Sequence, residues 1–341
     1  MGLVLGLALA IWALGAWMRV PGSVRLAAIA ALWAAVMLAH LVLPEGNGLR
    51  VAVGGSARVW AVLGGAVALG LGYGAVVRRL RRRLAPVVAT VAPPSEAERY
   101  ARHIMLREIG GPGQKKLRAA KVLVIGAGGL GSSALLYLAA SGVGCIGVID
   151  DDVVEVSNLQ RQIIHSDARL GMAKVQSATI VMRALNPLVE VRPYNRRLTE
   201  DIAAELVAEY DLVLDGSDNF DTRYLVNRVC VTLGKPLISA AITQWEGQIG
   251  LYDPARGGPC YECVFPLRPA PGVVPTCAEA GVAAPLPGVI GAMMALEAVK
   301  EITGAGQGLR GRLVIFDGLY GESRVIGVQK RQGCAVCGGS A

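Results

Sequence analysis

The sequence predicts an α/β domain with a mostly parallel sheet and helices on both faces, preceded by a hydrophobic N-terminal region. Three observations predict this arrangement. A glycine-rich turn joins an apolar strand to a helix, short β-branched strands alternate with helices beyond it, and long uncharged segments occupy the first 77 residues. Together they indicate a Rossmann-like domain behind a membrane anchor.

The N-terminal region is predicted to contain three transmembrane helices. Residues 2–18 and 59–77 carry no charge, and residues 26–43 carry only His40. Each segment is close to the ~17–25 residues that a helix needs to cross the hydrocarbon layer. The composition agrees, because 53% of the 341 residues are hydrophobic and only 18% are charged. A cleaved signal peptide is the alternative for the first segment, although a positively charged n-region is lacking.

The charged residues are divided unevenly along the chain. Residues 1–83 hold nine Arg and one Glu, whereas residues 84–341 hold 25 basic and 25 acidic side chains. The net charge of +8 therefore belongs to the membrane flank and does not indicate nucleic-acid binding. Five arginines between positions 78 and 83 follow the third segment. By the positive-inside rule we expect a multi-pass protein of the inner (cytoplasmic) membrane, with its C-terminal domain in the cytoplasm and its N-terminus outside.

The predicted domain boundaries divide the chain into an anchor at residues 1–83, a linker at 84–97 and an α/β domain at 98–341. The linker contains Pro and is nearly uncharged, which favours an extended tether. Ser95 and Glu98 form a capping-box pattern that predicts a helix over 98–106.

The α/β domain is predicted to begin with βαβ units and to end with antiparallel strands. The predicted parallel strands are 121–125, 145–149, 190–194 and 212–214; the helices are 130–140, 173–185, 201–209 and 289–302; the antiparallel strands are 248–252, 312–316 and 322–329. Cys145 falls in a core strand and Cys230 in an apolar helix, so both are predicted to be packing residues.

The glycine-rich turn predicts a nucleotide site, because backbone N–H groups at a helix N-terminus bind phosphate. Its glycines are Gly126, Gly128, Gly129 and Gly131. Asp150 lies 19 residues after Gly131, where a dinucleotide-binding fold places the acid that holds the ribose. An NAD-dependent dehydrogenase is one interpretation of these features.

Polar residues downstream favour ATP over NAD. Ser157, Asn158, Arg161 and Lys174 follow the second strand, and the last three suit a polyphosphate and its metal. Asp218 and Asn219 follow the strand that ends at Asp215 and are expected at the carboxyl edge of the sheet. Asp218 is predicted to hold Mg²⁺, with a helix N-cap as the alternative.

Two CxxC pairs predict a structural zinc site. Four thiolates, from Cys260, Cys263, Cys334 and Cys337, suit a closed tetrahedral ion. The alternatives are a disulfide, which a cytoplasmic location disfavours, and a thioredoxin-type redox pair, for which neither pair opens a helix in the required context.

Cys277 is a separate case. It lies in a segment bounded by Pro275 and Gly281, ahead of an apolar helix. A loop thiol near a helix N-terminus has its thiolate favoured, as a nucleophile requires. The alternative is a partly buried cysteine without a chemical role.

Residues 98–341 resemble the MoeB/ThiF/HesA group of ubiquitin-activating-enzyme-like adenylyltransferases, and MoeB more than ThiF. The motifs of this resemblance are, in chain order, Arg99-Tyr-Ala-Arg102, GAGGLGS from Gly126, the run from Asp150 to Arg161, Lys174, Leu214-Asp-Gly-Ser-Asp-Asn219 with Arg223, both CxxC pairs, and TCAEAGVAAPL from Thr276.

The resemblance implies a reaction with a small ubiquitin-fold sulfur carrier that ends in Gly-Gly. The C-terminal carboxylate of the carrier would attack the α-phosphate of ATP, giving an acyl adenylate and pyrophosphate for sulfur transfer in molybdenum cofactor biosynthesis. Arg161 and Lys174 would hold the phosphates, Asp218 the Mg²⁺ and Asp150 the ribose. The glycine backbone, with Ser157, Asn158 and Asn219, would complete the nucleotide site.

The resemblance also implies partners. Arg102 would reach the site of a neighbouring subunit in a homodimer, and Cys277 matches a cysteine of sulfur transfer in ThiF-like relatives. A separate persulfide donor would supply the sulfur, because no rhodanese domain follows Cys337. ThiF-like activation of the thiamin sulfur carrier, or a non-catalytic membrane docking platform for a carrier, are the alternatives.

Overall fold

The computed structural model describes residues 1–84, 95–270 and 277–338. These residues form two compact units, Met1–Ala92 and Pro93–Ala341. Most of the predicted linker lies outside the described residues.

The N-terminal unit consists of four helices. They are α1 (Gly2–Trp17), α2 (Gly22–Val42), α3 (Gly48–Val53) and α4 (Ala57–Leu84). Among the described residues, α2 and residues 57–80 of α4 are long and apolar enough to cross a membrane. The prediction of three spans is therefore wrong. Helix α1 has 16 residues, a length of about 24 Å at ~1.5 Å per residue, which is shorter than the ~30 Å hydrocarbon layer.

Close packing and two indole hydrogen bonds hold this unit together. The buried side chains are Val4, Val36, Val53 and Trp60. The Trp60 indole donates to the carbonyl oxygen of Gly54 at 2.9 Å, and the Trp33 indole donates to the carbonyl oxygen of Trp60 at 3.0 Å. These bonds tie the turn after α3 to α2 and α4.

The C-terminal unit contains an eight-stranded sheet with the order β3-β2-β1-β4-β5-β6-β7-β8. Its strands are β1 (Lys121–Ile125), β2 (Cys145–Ile149), β3 (Glu190–Tyr194), β4 (Leu212–Asp215), β5 (Leu237–Thr243), β6 (Glu246–Tyr252), β7 (Arg312–Asp317) and β8 (Glu322–Gly327). Strands β1 to β5 pair in parallel, and β5 to β8 pair antiparallel. The predicted α/β class, with antiparallel strands at the C-terminal end, is confirmed.

Ten helices of this unit are described, and several of them cover the sheet. They are α5 (Glu96–Arg99), α6 (Ala101–Ile104), α7 (Gly110–Ala119), α8 (Gly129–Ser141), α9 (Lys174–Leu185), α10 (Glu200–Ala208), α11 (Phe220–Leu233), α12 (Tyr261–Val264), α13 (Cys277–Ala280) and α14 (Leu286–Thr303). One core cluster lies between the sheet and α8, α9 and α14, and a second lies between the sheet and α10 and α11. Alternate residues of β1 enter the two clusters, as expected for a strand covered on both faces.

The predicted helix over 98–106 is broken at Tyr100. Its capping box is present, with the Ser95 hydroxyl accepting from the backbone N–H of Glu98. The chain then forms two single turns, because the Tyr100 ring is buried and its hydroxyl accepts from the Asn186 amide at 2.8 Å. Cys145 and Cys230 are buried in the second core cluster, which confirms their prediction as packing residues.

Candidate functional site

The carboxyl ends of three neighbouring strands meet at one edge of the sheet. Strand β1 lies between β2 and β4, so the loops that follow these strands are adjacent. The glycine loop follows β1, Asp150 follows β2, and Asp218 follows β4 by three residues. The predicted nucleotide groups are thus brought to the edge where open α/β sheets bind ligands.

The glycine loop is packed so closely that no side chain fits at Gly126 or Gly131. Gly126 has a φ of +93° and lies against the loop after β4, where a Cβ would come within 3.2 Å of the Gly216 carbonyl oxygen. A Cβ at Gly131 would lie 2.0 Å from the carbonyl oxygen of Gly126. Gly128 is the N-cap of α8, so the loop leads directly into a helix N-terminus, which favours an anion.

Asp150 is joined directly to this loop. Its carboxylate accepts from the backbone N–H of Ala127 at 2.7 Å and from that of Asp152 at 2.8 Å. Burial raises the pKa of Asp150, while these two hydrogen bonds act in the opposite direction. The side chain is therefore held in a fixed position beside the glycine loop.

Lys174 is the first residue of α9, and it is only 5% exposed. Its Nζ lies 2.7 Å from a carboxylate oxygen of Asp152. Its backbone N–H donates to the carbonyl oxygen of Asp152 at 2.9 Å. The ammonium is thereby connected to the segment that also carries Asp150.

Arg161 lies with Ser157 and Asn158 in the turn that follows β2. Its guanidinium donates to the Ser157 carbonyl oxygen at 2.9 Å and to the Asn158 side-chain oxygen at 3.4 Å. Its Cγ is 3.9 Å from the position that a Cβ of Gly129 would occupy. These three predicted residues form one cluster beside the glycine loop.

Asp218 and Asn219 have different positions in the loop after β4. Asn219 is the N-cap of α11, and its side-chain oxygen accepts from the Thr222 backbone N–H at 2.9 Å. The alternative of Asp218 as the cap is therefore wrong. Asp218 precedes the cap and is exposed.

The four cysteines of the CxxC pairs form one buried cluster. The Sγ–Sγ distances are 3.7 Å for Cys260–Cys263, 3.7 Å for Cys260–Cys334 and 3.3 Å for Cys263–Cys337. A tetrahedral ion with Zn–S bonds of about 2.3 Å holds its sulfurs about 3.8 Å apart, so these donors fit zinc. All four thiols are free, which excludes the disulfide alternative. Cys260 precedes α12, but this helix is a single turn of four residues, which is not the helix context of a thioredoxin-type redox pair.

Two other predicted residues lie on short helices. Arg102 is exposed on α6. Cys277 begins α13, and its side chain lies outside the described part of the chain.

A comparison with protein families identifies this domain. The profile of the ThiF family matches residues 100–336. The chain belongs to the ThiF family.

Relatives of this ThiF domain carry the names of adenylyltransferases. The chain is 48% identical over 247 residues to the sulfur carrier protein adenylyltransferase of Thermus thermophilus, covering 71% of this chain and 91% of that protein. It is 49% identical to mouse adenylyltransferase and sulfurtransferase MOCS3, covering 71% of this chain and 53% of MOCS3, so it spans about half of that protein. These relationships make the chain an adenylyltransferase.

A solved structure has the same fold. E. coli MccB with ATP superposes with a TM-score of 0.62 at 26% identity, covering 71% of this chain and 75% of MccB. The α/β architecture of the ThiF domain is therefore shared with an ATP complex.

A buried ion pair between Asp215 and Arg223, which had no role assigned from the sequence, holds the loop that carries Asp218. Asp215 is fully buried and accepts from the backbone N–H of Ser217 at 3.0 Å and from the Ser239 hydroxyl at 2.8 Å. The Arg223 guanidinium lies 3.9 Å from Asp215 and donates to the carbonyl oxygens of Ser217 at 2.6 Å and Ala240 at 2.9 Å. In the sequence, both residues appeared as part of the family resemblance, in the motif from Leu214 to Asn219 with Arg223, and neither was given a role.

His165 is a second residue of the ThiF domain that the sequence did not assign. Its ring lies between the Ala127 carbonyl oxygen and the Ser177 hydroxyl, at 2.9 Å from each. It joins the glycine loop to α9, which carries Lys174. No sequence spacing pointed to this role, because Ala127 is 38 residues away.

Proposed function

We propose that this ThiF family enzyme uses ATP to adenylate the C-terminal glycine carboxylate of a small ubiquitin-fold sulfur carrier. The observation that carries the proposal is the convergence of the glycine loop, Asp150, Arg161 and Lys174 at one sheet edge. A relative at 48% identity named sulfur carrier protein adenylyltransferase supports the carrier as the substrate.

The chemistry requires charge neutralisation and orientation more than proton transfer. A peptide carboxylate is already ionised at neutral pH, so it attacks the α-phosphate without a general base. The enzyme must neutralise the phosphate charge and align the two reactants. Arg161 and Lys174 supply positive charge next to the glycine loop, and Asp150 is positioned to accept from the ribose hydroxyls.

Asp218 is the Mg²⁺ ligand in this proposal. Mg²⁺ prefers carboxylate and phosphate oxygens, and when bound it neutralises triphosphate charge. The carboxylates of Asp150, Asp151 and Asp152 also lie within 4.8 Å of one another. However, Asp150 accepts two backbone hydrogen bonds and Asp152 pairs with Lys174. Asp218, which is exposed and follows β4 next to β1, is therefore preferred as the Mg²⁺ ligand.

The cysteine cluster holds a structural Zn²⁺ in this proposal. Four thiolates without a histidine or carboxylate suit a closed site that offers no open position for a substrate. The ion would connect residues 260–263 to residues 334–337 and so fasten the end of the domain to the segment after β6.

We assign the carrier to the molybdopterin-synthase small-subunit type, and hence the pathway to molybdenum cofactor biosynthesis. The segment from Cys277 to Gly291, with its Ala-Pro-Leu-Pro-Gly run, supports this choice over the thiamin carrier by its resemblance to MoeB. A comparison of the two carrier types in the same assay tests the assignment.

A second subunit, a sulfur donor and a membrane location complete the proposal. The enzyme acts as a homodimer in which the exposed Arg102 reaches the neighbouring active site. A separate persulfide donor supplies the sulfur, and Cys277 takes part in its transfer. Helices α2 and α4 anchor the enzyme in the inner membrane, with the catalytic domain in the cytoplasm.

ATP–pyrophosphate exchange by the purified full-length chain tests the activity. The assay contains Mg²⁺ and candidate carriers that end in Gly-Gly, with carriers that lack this tail as controls. Exchange that requires the tail is expected. Absence of exchange with every carrier, from a folded protein that binds zinc, would contradict the proposal and favour a docking platform.

A further inference from the structure

Asp152 connects Asp150 and Lys174, two of the groups assigned to ATP, through three separate contacts. Its backbone N–H donates to the Asp150 carboxylate at 2.8 Å, and its carbonyl oxygen accepts from the Lys174 backbone N–H at 2.9 Å. Its carboxylate lies 2.7 Å from Lys174 Nζ. One residue therefore fixes the ribose acid, the start of α9 and the phosphate lysine relative to one another.

The buried Lys174 ammonium needs the Asp152 carboxylate to compensate its charge. The Lys174 side chain is 6% exposed, whereas the Asp152 side chain is 62% exposed. A buried ammonium is costly unless an opposite charge compensates it. An ammonium has three N–H donors, so one hydrogen bond to Asp152 leaves two for phosphate oxygens.

The neighbouring Asp151 provides a contrast. It has the same charge, but its carboxylate lies 3.3 Å from Arg197, and the Arg197 side chain is 70% exposed. An exposed pair of this kind contributes little to stability or geometry.

We infer that Asp152 is a positioning residue for ATP, whose carboxylate directs the Lys174 ammonium toward the triphosphate. This inference rests on the proposed function, which assigns Lys174 to the phosphates. Asp152 acts through Lys174 and is not itself a catalytic residue. ATP binds to a lysine that is already oriented, and Asp152 retains its hold on the ammonium while the phosphates occupy the remaining donors.

The first test replaces only the carboxylate. Asp152→Asn retains both backbone contacts and removes the charge, Asp152→Glu restores the charge, and Asp151→Asn is the matched control. Because the ammonium contacts ATP in both the bound state and the transition state, Asp152→Asn is expected to raise the KM for ATP about tenfold and to change kcat less than about threefold. Asp152→Glu is expected within about threefold of the unmodified KM, and Asp151→Asn is expected to be unchanged.

The second test asks whether the effect requires Lys174. In a chain that carries Lys174→Met, adding Asp152→Asn is expected to cause no further loss of ATP affinity, because the group that Asp152 directs is absent. The same tenfold loss in both backgrounds would overturn the inference, because the carboxylate would then act independently of Lys174.

ATP affinity measured by calorimetry on the full-length chain separates this inference from the proposed function. If no carrier supports exchange, the proposed function fails, but ATP affinity still reports on Asp152. If exchange occurs while Asp152→Asn retains the unmodified KM and ATP affinity, or if Asp152→Glu is as impaired as Asp152→Asn, the positioning role is wrong. Unchanged zinc content and melting temperature in each variant confirm that the fold is retained.

Discussion

The Nε2 atom of His165 lies 2.9 Å from the carbonyl oxygen of Ala127 in the glycine loop. A carbonyl oxygen only accepts hydrogen bonds, so Nε2 carries the proton and Nδ1 accepts from the Ser177 hydroxyl. The neutral imidazole thus satisfies both of its nitrogens. Burial is the main cause that lowers the pKa of His165 from its ordinary 6.5.

This arrangement predicts a loss of stability in acid. The folded state binds the His165 proton less readily than the unfolded state, so the stabilising contribution is present above pH 6.5 and is lost as the pH falls below it. The expected slope from this residue is up to about 1.4 kcal/mol per pH unit. Urea unfolding of the full-length chain between pH 7.5 and 5.5 measures it.

Two variants separate His165 from the other titrating groups. His165→Gln is expected to reduce the difference in unfolding free energy between the two pH values. His103→Gln is the matched control, because His103 pairs with Gln114 away from the glycine loop. Equal pH dependence in the His165→Gln variant and the unmodified chain would contradict this prediction.

Removal of the Arg223 guanidinium is expected to destabilise the domain strongly. Arg223→Met leaves the fully buried Asp215 without its positive partner, which costs about 3–5 kcal/mol. Arg228→Met, on the same helix, removes an exposed pair with Glu200 and is expected to cost less than about 1 kcal/mol. Chemical denaturation compares the two variants, and similar losses would argue against the buried network.

Loss of one cluster thiol is expected to abolish zinc binding. Cys334→Ser removes one of four ligands, and Cys145→Ala is the control because Cys145 lies in the core and outside the cluster. Zinc per chain, measured by atomic emission, is expected to fall from about one to near zero only in the first variant. Undiminished zinc in Cys334→Ser would show that the ion is held elsewhere.

Variants of the phosphate and metal groups are expected to block adenylation without unfolding the protein. Arg161→Ala and Asp218→Asn each remove a group that the proposed function assigns to the triphosphate, so exchange is expected to fall by at least ~100-fold. Arg197→Ala, which removes an exposed arginine paired with Asp151, is the control. Full exchange activity in Arg161→Ala or Asp218→Asn would refute that residue's assignment.

Membrane association is expected to depend on the N-terminal unit. The full-length chain should remain in the membrane pellet after an alkaline carbonate wash, because α2 and α4 are long enough to span the bilayer. A chain without residues 1–83 should be released into the supernatant. Release of the full-length chain by carbonate would indicate that neither helix crosses the membrane.

The sequence predicted those parts of the fold that depend on continuous apolar runs. Strands β1, β2 and β3 have the predicted bounds, because each follows or precedes a clear turn and packs in a covered sheet. Helix α7 was missed because it begins with Gly-Gly-Pro-Gly, residues that usually indicate a loop. The number of membrane spans was overestimated by one, because the first uncharged segment, residues 2–18, extends beyond the end of α1 at Trp17 toward a turn in which Arg19 has a φ of 58°.

Within the candidate site, the motifs identified groups that follow adjacent strand ends. Asp150 and Arg161 were found because their positions after the glycine loop follow from the βαβ topology. His165 and the pairing of Asp152 with Lys174 could not be found in this way. These contacts depend on where α9 packs against the loop after β2, and a single sequence does not specify that distance.

A closed ring of contacts joins the residues around Asp150. Asp150 contacts Ala127, Ala127 contacts His165, and His165 contacts α9. Lys174, the first residue of α9, pairs with Asp152, and Asp152 contacts Asp150. Folding therefore already restricts the rotamers of the side chains that ATP would meet. Binding to such a preorganised site loses less conformational entropy than binding to mobile side chains. The largest ordering cost in the reaction is then expected to come from the carrier's C-terminal tail, so rigidity of that tail would govern how readily different carriers are activated.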